Sequence, residues 1–159
     1  MISAFLRRRL LAPILDLLRQ GITPEKIALS IALGITLGVT PVLGSTSILC
    51  LLAAVLLRLN APAIQLVNYL VYPLQIALLI PFMRMGGWLF GSPAMQVSLT
   101  QVAHLIRENV WAAIATLWTV TMHALVAWLA LGSLASPILY VLLAPALRKL
   151  ARSLQAGAR

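Results

Sequence analysis

Long uncharged stretches separated by short polar turns dominate the chain. Apolar residues fill four such runs, which cover residues 27–57, 61–83, 110–131 and 133–147. About 20 apolar residues in a helix cross the roughly 30 Å hydrocarbon core of a bilayer. The pattern therefore predicts an all-α integral membrane helical bundle, with residues 23–147 forming a single membrane domain.

The first run is longer than a bilayer requires and carries its own interruption. As one straight helix, residues 27–57 would measure about 46 Å. Pro41 removes a backbone donor, and Gly44 permits a left-handed backbone. Neighbouring hydroxyls can bond the freed backbone groups, and they belong to Thr40, Ser45, Thr46 and Ser47. The pattern predicts broken or re-entrant helices here and leaves open which of the two occurs.

Two further segments have one apolar face and one polar face, which is typical of helices that lie in the membrane interface. Residues 1–22 form the first, and residues 93–108, opened by the Ser92-Pro93 start signal, form the second. Residues 148–159 are predicted to form a basic cytoplasmic tail. The apolar stripes of the two segments are Leu6, Leu10, Ile14 and Leu17, and Met95, Leu99, Val102 and Ile106.

Composition and charge support a membrane protein and argue against a nucleic-acid-binding one. Of the 159 residues, 62% are hydrophobic and 9% are charged, whereas soluble domains carry about 25% charged residues. The net charge of +9 comes mainly from basic residues near the two ends. Basic flanks around apolar spans follow the positive-inside bias. We therefore expect a multi-pass protein of the bacterial inner membrane with both termini in the cytoplasm, surrounded by membrane lipids.

Two topologies fit this charge distribution. If all four runs cross, which is the preferred topology, only Arg58 among the basic residues faces outward. If the first and last runs are re-entrant, Arg84 and Arg107 face outward instead. Both topologies leave the two termini inside.

A polar stripe along the second run predicts an intramembrane polar site. Gln65, Asn68, Tyr72 and Gln75 are spaced three, four and three residues apart, so they share one face of a helix. Either they make hydrogen bonds between helices, or they line a site for a polar substrate or lipid head group. The candidate site combines this stripe with the interruption, at Thr40, Pro41, Gly44, Ser45, Thr46 and Ser47.

Ser30, Gly34 and Gly38 recur every four residues in the first run. Such small-residue spacing makes a groove for close helix packing in membranes. We assign these residues to packing.

The sequence offers no arrangement typical of catalysis. The acids are Asp16, Glu25 and Glu108, all predicted at membrane edges, so no buried carboxylate pair is expected. The lone Cys50 has no partner for a disulfide or a metal site. We therefore expect no catalytic residue, no metal site, no cofactor and no enzymatic activity.

The stretch from Pro24 to Gly91 carries motifs that resemble a known family. Gly34, Gly38, Pro41 and Gly44 give the spacing Gly-x3-Gly-x2-Pro-x2-Gly, followed by Arg58-Leu-Asn-Ala-Pro and by Asn68-Tyr-Leu-Val-Tyr-Pro. This pattern resembles the bacterial domain-of-unknown-function family 2062, which implies a bacterial membrane protein without an assigned activity. In this family, related domains sometimes accompany glycosyltransferases of envelope synthesis.

The resemblance therefore implies transport or handling of a lipid or lipid-linked envelope precursor. The alternative is a non-catalytic membrane scaffold or assembly factor for an envelope-synthesis enzyme, which would be its partner protein. A homo-oligomer is compatible with either function.

Overall fold

The computed structural model describes residues 22–91, Arg107 and residues 109–156, and within them it is helical without strands. Both predicted interfacial helices, 1–22 and 93–108, fall outside these residues except for Ile22 and Arg107. The predicted all-α class is confirmed for the described part of the chain. Its helices are α1 (Pro24–Gly38), α2 (Thr46–Leu56), α3 (Ala61–Leu70), α4 (Tyr72–Leu89) and α5 (Val110–Ala156).

Helix α1 begins and ends where its local sequence requires. The Thr23 side chain accepts a hydrogen bond from the Lys26 backbone N–H at 3.4 Å, and Pro24 occupies the first turn. The helix ends at Gly38, because Pro41 cannot supply the next backbone donor. The first run is thus interrupted where the sequence predicts.

The chain reverses direction at this interruption. Ser47, at the start of α2, lies within hydrogen-bonding distance of Asn68, which in turn lies beside Gly38 near the end of α1. Later in α2, Ala54 packs in one cluster with Ile64 and with Leu33. Leu33 lies earlier in α1 than Gly38, so α2 runs back along α1. Helices α1 and α2 therefore form a hairpin, whose tip is residues 39–45, and α2 does not continue the direction of α1.

The second run is a bent pair of helices that reaches beyond its predicted end. The Asn60 side chain caps α3 by accepting a bond from the Ala63 N–H at 2.8 Å. Helix α3 then meets α4 at Val71 with a bend of 63°. Pro73 lacks a backbone donor and its ring clashes with the carbonyl four residues earlier, which accounts for the bend. Pro81 is contained within α4, which continues through the buried Gly86 and Gly87.

The last two apolar runs are one continuous helix, which differs from the predicted separate segments. Helix α5 has 47 residues and measures about 70 Å. Gly132 does not break it, because a single helical glycine costs only about 1 kcal/mol and this one packs against Thr36. Pro137 and Pro145 are also accommodated inside the helix. The helix continues to Ala156, so most of the predicted tail 148–159 is helical.

Helix α1 lies between α3 and α5 and presents small residues to both. Toward α3, a Cβ on Gly34 would lie 2.8 Å from the Val67 Cβ, and a Cβ on Gly38 would lie 2.5 Å from the Val71 Cγ2. Ser30, the third residue of the packing stripe, is buried and donates to the Lys26 carbonyl at 2.8 Å. Toward α5, Ala28 packs with Ala144 and Leu147.

Within the described residues, the stretch Val110–Ser153 of α5 is long and apolar enough to cross a membrane. A second span exists if α3 and α4 together count as one bent segment. This is compatible with membrane association, but a bundle of four crossings stays a prediction. Large apolar side chains nevertheless cover the outside of the molecule, with Ile48 and Leu56 both 70% exposed.

Candidate functional site at the hairpin tip

Two amide side chains of α3 hold the first turn of α2. The Asn68 Nδ2 donates to the Ser47 Oγ at 3.2 Å, and the Gln65 Nε2 donates to the Ser47 carbonyl at 3.4 Å. Asn68 also donates to the Gln65 Oε1 at 3.4 Å. The polar stripe of the second run therefore meets the interruption of the first run at Ser47.

A third amide, from α4, reaches the other end of the tip. The Gln75 Nε2 donates to the Thr40 carbonyl at 2.9 Å, and Gln75 is 1% exposed. Its Oε1 is buried and has no hydrogen-bond partner in the described part of the protein. An unpaired buried acceptor is costly, so this oxygen is a point where a donor from water or a ligand would be stabilising.

The broken end of α1 is capped by side chains from distant helices. A helix leaves its last carbonyls without partners inside the helix. Here the Trp128 Nε1 of α5 donates to the Thr36 carbonyl at 2.9 Å. The Thr40 Oγ1 donates to the Leu37 carbonyl at 2.6 Å. Side chains of α4 and α5 and the local threonine thus satisfy groups that the interruption exposes.

The tip closes with its own hydroxyls and one glycine. Ser45 donates through Oγ to the Val42 carbonyl at 2.9 Å, so it does not cap α2 with its side chain. Gly44 has a φ of +86°, the left-handed conformation that glycine adopts without steric cost. The chain can therefore reverse within a few residues without leaving these backbone groups unpaired.

The candidate residues differ in exposure. Thr40, Pro41 and Thr46 are buried with Asn68 and Gln75, whereas Ser45, Ser47 and Gln65 are half-buried and Gly44 is exposed. Tyr72 does not join the cluster, since it is 49% exposed, whereas Gln75 in the same helix is buried. The prediction that all four stripe residues share one face is wrong for Tyr72, because that prediction assumed a straight helix through residues 61–83.

We call Thr40, Ser45, Ser47, Gln65, Asn68 and Gln75 the tip cluster. All six are uncharged polar residues, and the described residues contain no group of acids, histidines and cysteines that could hold a metal ion. Hydroxyl and amide groups can donate and accept hydrogen bonds but supply no general base at neutral pH. The arrangement can therefore recognise a polar group by hydrogen bonding.

One family model matches residues 7–155, and its description is "uncharacterized protein conserved in bacteria", domain of unknown function 2062. The chain belongs to this family. The match covers more than the 24–91 stretch on which the resemblance rests, and it includes nearly all of α5 and most of the N-terminal segment. No curated protein and no solved structure matches the chain.

This DUF2062 member also has an ion pair that joins the two ends of its described fold. The Arg148 Nε lies 2.6 Å from the Glu25 Oε1, with both side chains partly exposed. A backbone hydrogen bond at the start of α1 and the bond from Arg148 together lower the pKa of Glu25 below its ordinary value. The pair fixes the beginning of α1 beside the later part of α5.

Three structural features of this DUF2062 member were not predicted from its sequence. They are the Trp128–Thr36 bond, the stacking of His123 on Phe90 at 4.2 Å, and the contact of Gly86 with the His123 backbone. A second small-residue stripe carried the signal for the first feature, since Ala28, Ala32 and Thr36 also recur every four residues. Trp128 lies within the third apolar run and is only 7% exposed.

Proposed function

We propose that this chain is a multi-pass protein of the bacterial inner membrane that handles a lipid or a lipid-linked envelope precursor, and that it is not an enzyme. The observation that carries the proposal is the tip cluster. Three amides from α3 and α4 converge on a backbone interruption within a molecule whose outer surface is largely apolar. Non-helical backbone at membrane depth is tolerated where protein shields it or a wet cavity adjoins it.

The exposed surface supports the membrane setting. In the most apolar 18-residue window of the α5 stretch, only 17% of the residues are buried. The core helix of a soluble protein would be mostly buried, whereas a membrane helix turns apolar side chains toward lipid. Leu134, Val141 and Leu142 are each 64–65% exposed, which fits contact with acyl chains.

The hairpin supports a topology with two crossings, by α3–α4 and by α5. At 15 and 11 residues, α1 and α2 measure about 22 Å and 16 Å, too short for a bilayer core of about 30 Å. Because α2 turns back, Lys26 and Arg58 lie on the same side of the tip as Arg148. Positive-inside bias then favours the cytoplasm for that side and for both termini.

The tip cluster supports recognition of an uncharged polar group. Ser45, Ser47 and Gln65 are half-buried, so they are partly accessible from outside the fold. The Gln75 Oε1 is an acceptor without a partner. A hydroxyl-bearing head group could donate to such an acceptor, whereas a phosphate would bring charge into a cluster that has no cation to balance it.

A non-catalytic scaffold for an envelope-synthesis enzyme is the second candidate, and a separate observation favours it. The amides of the tip cluster already bond to Ser47 and Thr40, as interhelical packing alone would require. In addition, the first part of α5 carries bulky exposed apolar residues, with Trp111 at 80% and Trp118 at 66% exposure. Such a face could pack against a partner helix in the membrane.

Cysteine accessibility distinguishes the two functions. In a Cys50→Ala background, Ser45→Cys and Ser47→Cys are each treated with a polar maleimide in intact membranes. A thiol reacts as its thiolate, which forms only in contact with water. If the tip cluster adjoins a wet site, both variants are labelled.

Two matched positions serve as controls. Thr46→Cys lies between the two test positions but is buried, and Ile48→Cys is 70% exposed on the apolar surface. Both should resist labelling, the first because of protein packing and the second because of lipid. Protection of Ser45→Cys and Ser47→Cys would contradict the handling function and favour the scaffold, while rapid labelling of Ile48→Cys would contradict the membrane setting.

A further inference from the structure

One face of α5 changes from apolar to basic along its length. Residues spaced three or four apart in a helix share a face. This spacing places five exposed residues of α5 on one stripe: Ile138, Leu142, Pro145, Lys149 and Arg152. We call this stripe the α5 lipid face. Its three apolar residues precede its two basic residues, so the chemical change occurs once, between Pro145 and Lys149.

The charge at the basic end of the stripe is not neutralised by described residues. Glu25 is the one acid among them, and it pairs with Arg148 on the side of α5 that faces α1. Lys149 and Arg152 have no acidic partner in the described part of the chain. Lys26, exposed at the start of α1, adds a further positive charge to the same end.

The dimensions of the stripe match one leaflet of a bilayer. From Ile138 to Lys149 the helix rises about 16 Å, and half of the hydrocarbon core is about 15 Å thick. An acyl chain beside Ile138 and Leu142 would therefore place its head group at the level of Lys149. The geometry matches a phospholipid in both length and polarity.

We propose that the α5 lipid face binds an anionic phospholipid, whose acyl chain lies against Ile138 and Leu142 and whose phosphate contacts Lys149 and Arg152. The site rests on the membrane setting proposed above but is independent of any ligand at the tip cluster. A partner protein would need an apolar surface that ends in acids at the same height. Every anionic phospholipid of the leaflet has an apolar chain that ends in a negatively charged head group at this height.

The test is a titration of the full chain in detergent with phosphatidylglycerol or phosphatidylcholine of identical acyl chains, read by native mass spectrometry. The wild-type protein should bind phosphatidylglycerol more tightly. Each basic residue at an anionic surface contributes roughly fivefold in affinity at low salt, so Lys149→Gln/Arg152→Gln should weaken phosphatidylglycerol binding by about 25-fold. Binding of phosphatidylcholine should not change.

The matched control is Arg58→Gln/Arg84→Gln, which removes the same charge from two other exposed positions and should leave the preference intact. Lys149→Arg/Arg152→Lys keeps the charges and should also keep it, which guards against misfolding of the first variant. Equal binding of the two lipids by the wild type would overturn the proposal. An equal loss in the control would also overturn it. None of these results would alter cysteine labelling at Ser45 or Ser47.

Discussion

The capping of α1 by Trp128 gives a prediction that can be worked out from the structure. The indole N–H donates to the Thr36 carbonyl at 2.9 Å in a buried setting. Thr36 is close to the end of α1, and the Thr40 N–H, which would be its helical partner, bonds to Leu37 instead. Trp128→Phe keeps an aromatic ring in the site but removes the donor, so the Thr36 carbonyl loses the partner that the structure gives it.

Two effects determine how much Trp128→Phe lowers the free energy of unfolding. An unsatisfied buried carbonyl costs about 1–3 kcal/mol, and hydrogen bonds between membrane helices have measured values of up to about 1.7 kcal/mol. Replacing the indole by a smaller ring removes roughly 1 kcal/mol of apolar burial. We expect Trp128→Phe to lower the free energy of unfolding by about 2 kcal/mol.

The assay is a reversible denaturant titration in detergent micelles, followed by far-ultraviolet circular dichroism so that the loss of a tryptophan does not affect the signal. Trp111→Phe is the matched control, since Trp111 is 80% exposed and its replacement should change stability by less than about 0.5 kcal/mol. If the two variants unfold at the same denaturant concentration, the Trp128 bond does not stabilise the end of α1 and the reasoning is refuted.

Three further predictions use the same titration. Gly86→Leu should destabilise the protein by about 2–3 kcal/mol, because a side chain at this position meets the backbone of α5. Ala77→Leu, on the exposed side of α4, should leave stability unchanged. Equal effects of the two substitutions would contradict the contact between Gly86 and α5. Gln75→Leu should lower the free energy of unfolding by only about 1 kcal/mol, because the lost hydrogen bond to Thr40 is partly offset by removal of the unpaired buried oxygen. A loss above about 3 kcal/mol would mean that the Gln75 Oε1 has a partner. Glu25→Gln should be less stable than the wild type at neutral pH. Because folding lowers the pKa of Glu25, the carboxylate's contribution to stability is complete above its ordinary pKa of 4.5 and is lost as the pH falls through the lowered pKa, so the two proteins should converge in stability below it. A constant difference across that range would contradict the pairing.

The position of the hairpin tip could be predicted from the sequence because local chemistry determines it. Pro41 removes a donor and Gly44 adopts a positive φ, and both effects act within a few residues. The caps that the structure shows at Thr23 and Asn60 also depend on contacts within three residues. Interruptions and helix starts of this kind depend on neighbours in sequence, so pattern analysis finds them.

The direction of the chain after the tip could not be predicted in this way. A proline and a glycine are equally compatible with a helix that bends and continues and with one that turns back. The reversal is held by Gln65 and Asn68, which lie about 20 residues further along and bond to Ser47. Contacts of this range are set by tertiary packing, which periodicity does not report.

Helical periodicity also failed where its assumption of a straight helix failed. Tyr72 keeps the spacing of the polar stripe, but it directly follows the 63° bend and is 49% exposed, whereas Gln75, three residues later in the same helix, is buried. Conversely, Gly132 resembles a terminator in sequence but packs against Thr36 within α5. In both cases the tertiary structure, rather than the residue type, decided the outcome.

The account depends most on the reversal at the tip, and the sidedness of two arginines tests it directly. Arg58→Cys, Arg84→Cys and Lys26→Cys are made singly in the Cys50→Ala background and labelled with a membrane-impermeant maleimide in oriented vesicles. The hairpin predicts that Arg58→Cys is labelled from the same side as Lys26→Cys, and that Arg84→Cys is labelled from the opposite side. Four crossings would give the reverse, with Arg58→Cys opposite to Lys26→Cys and Arg84→Cys on the same side, and that result would contradict the hairpin.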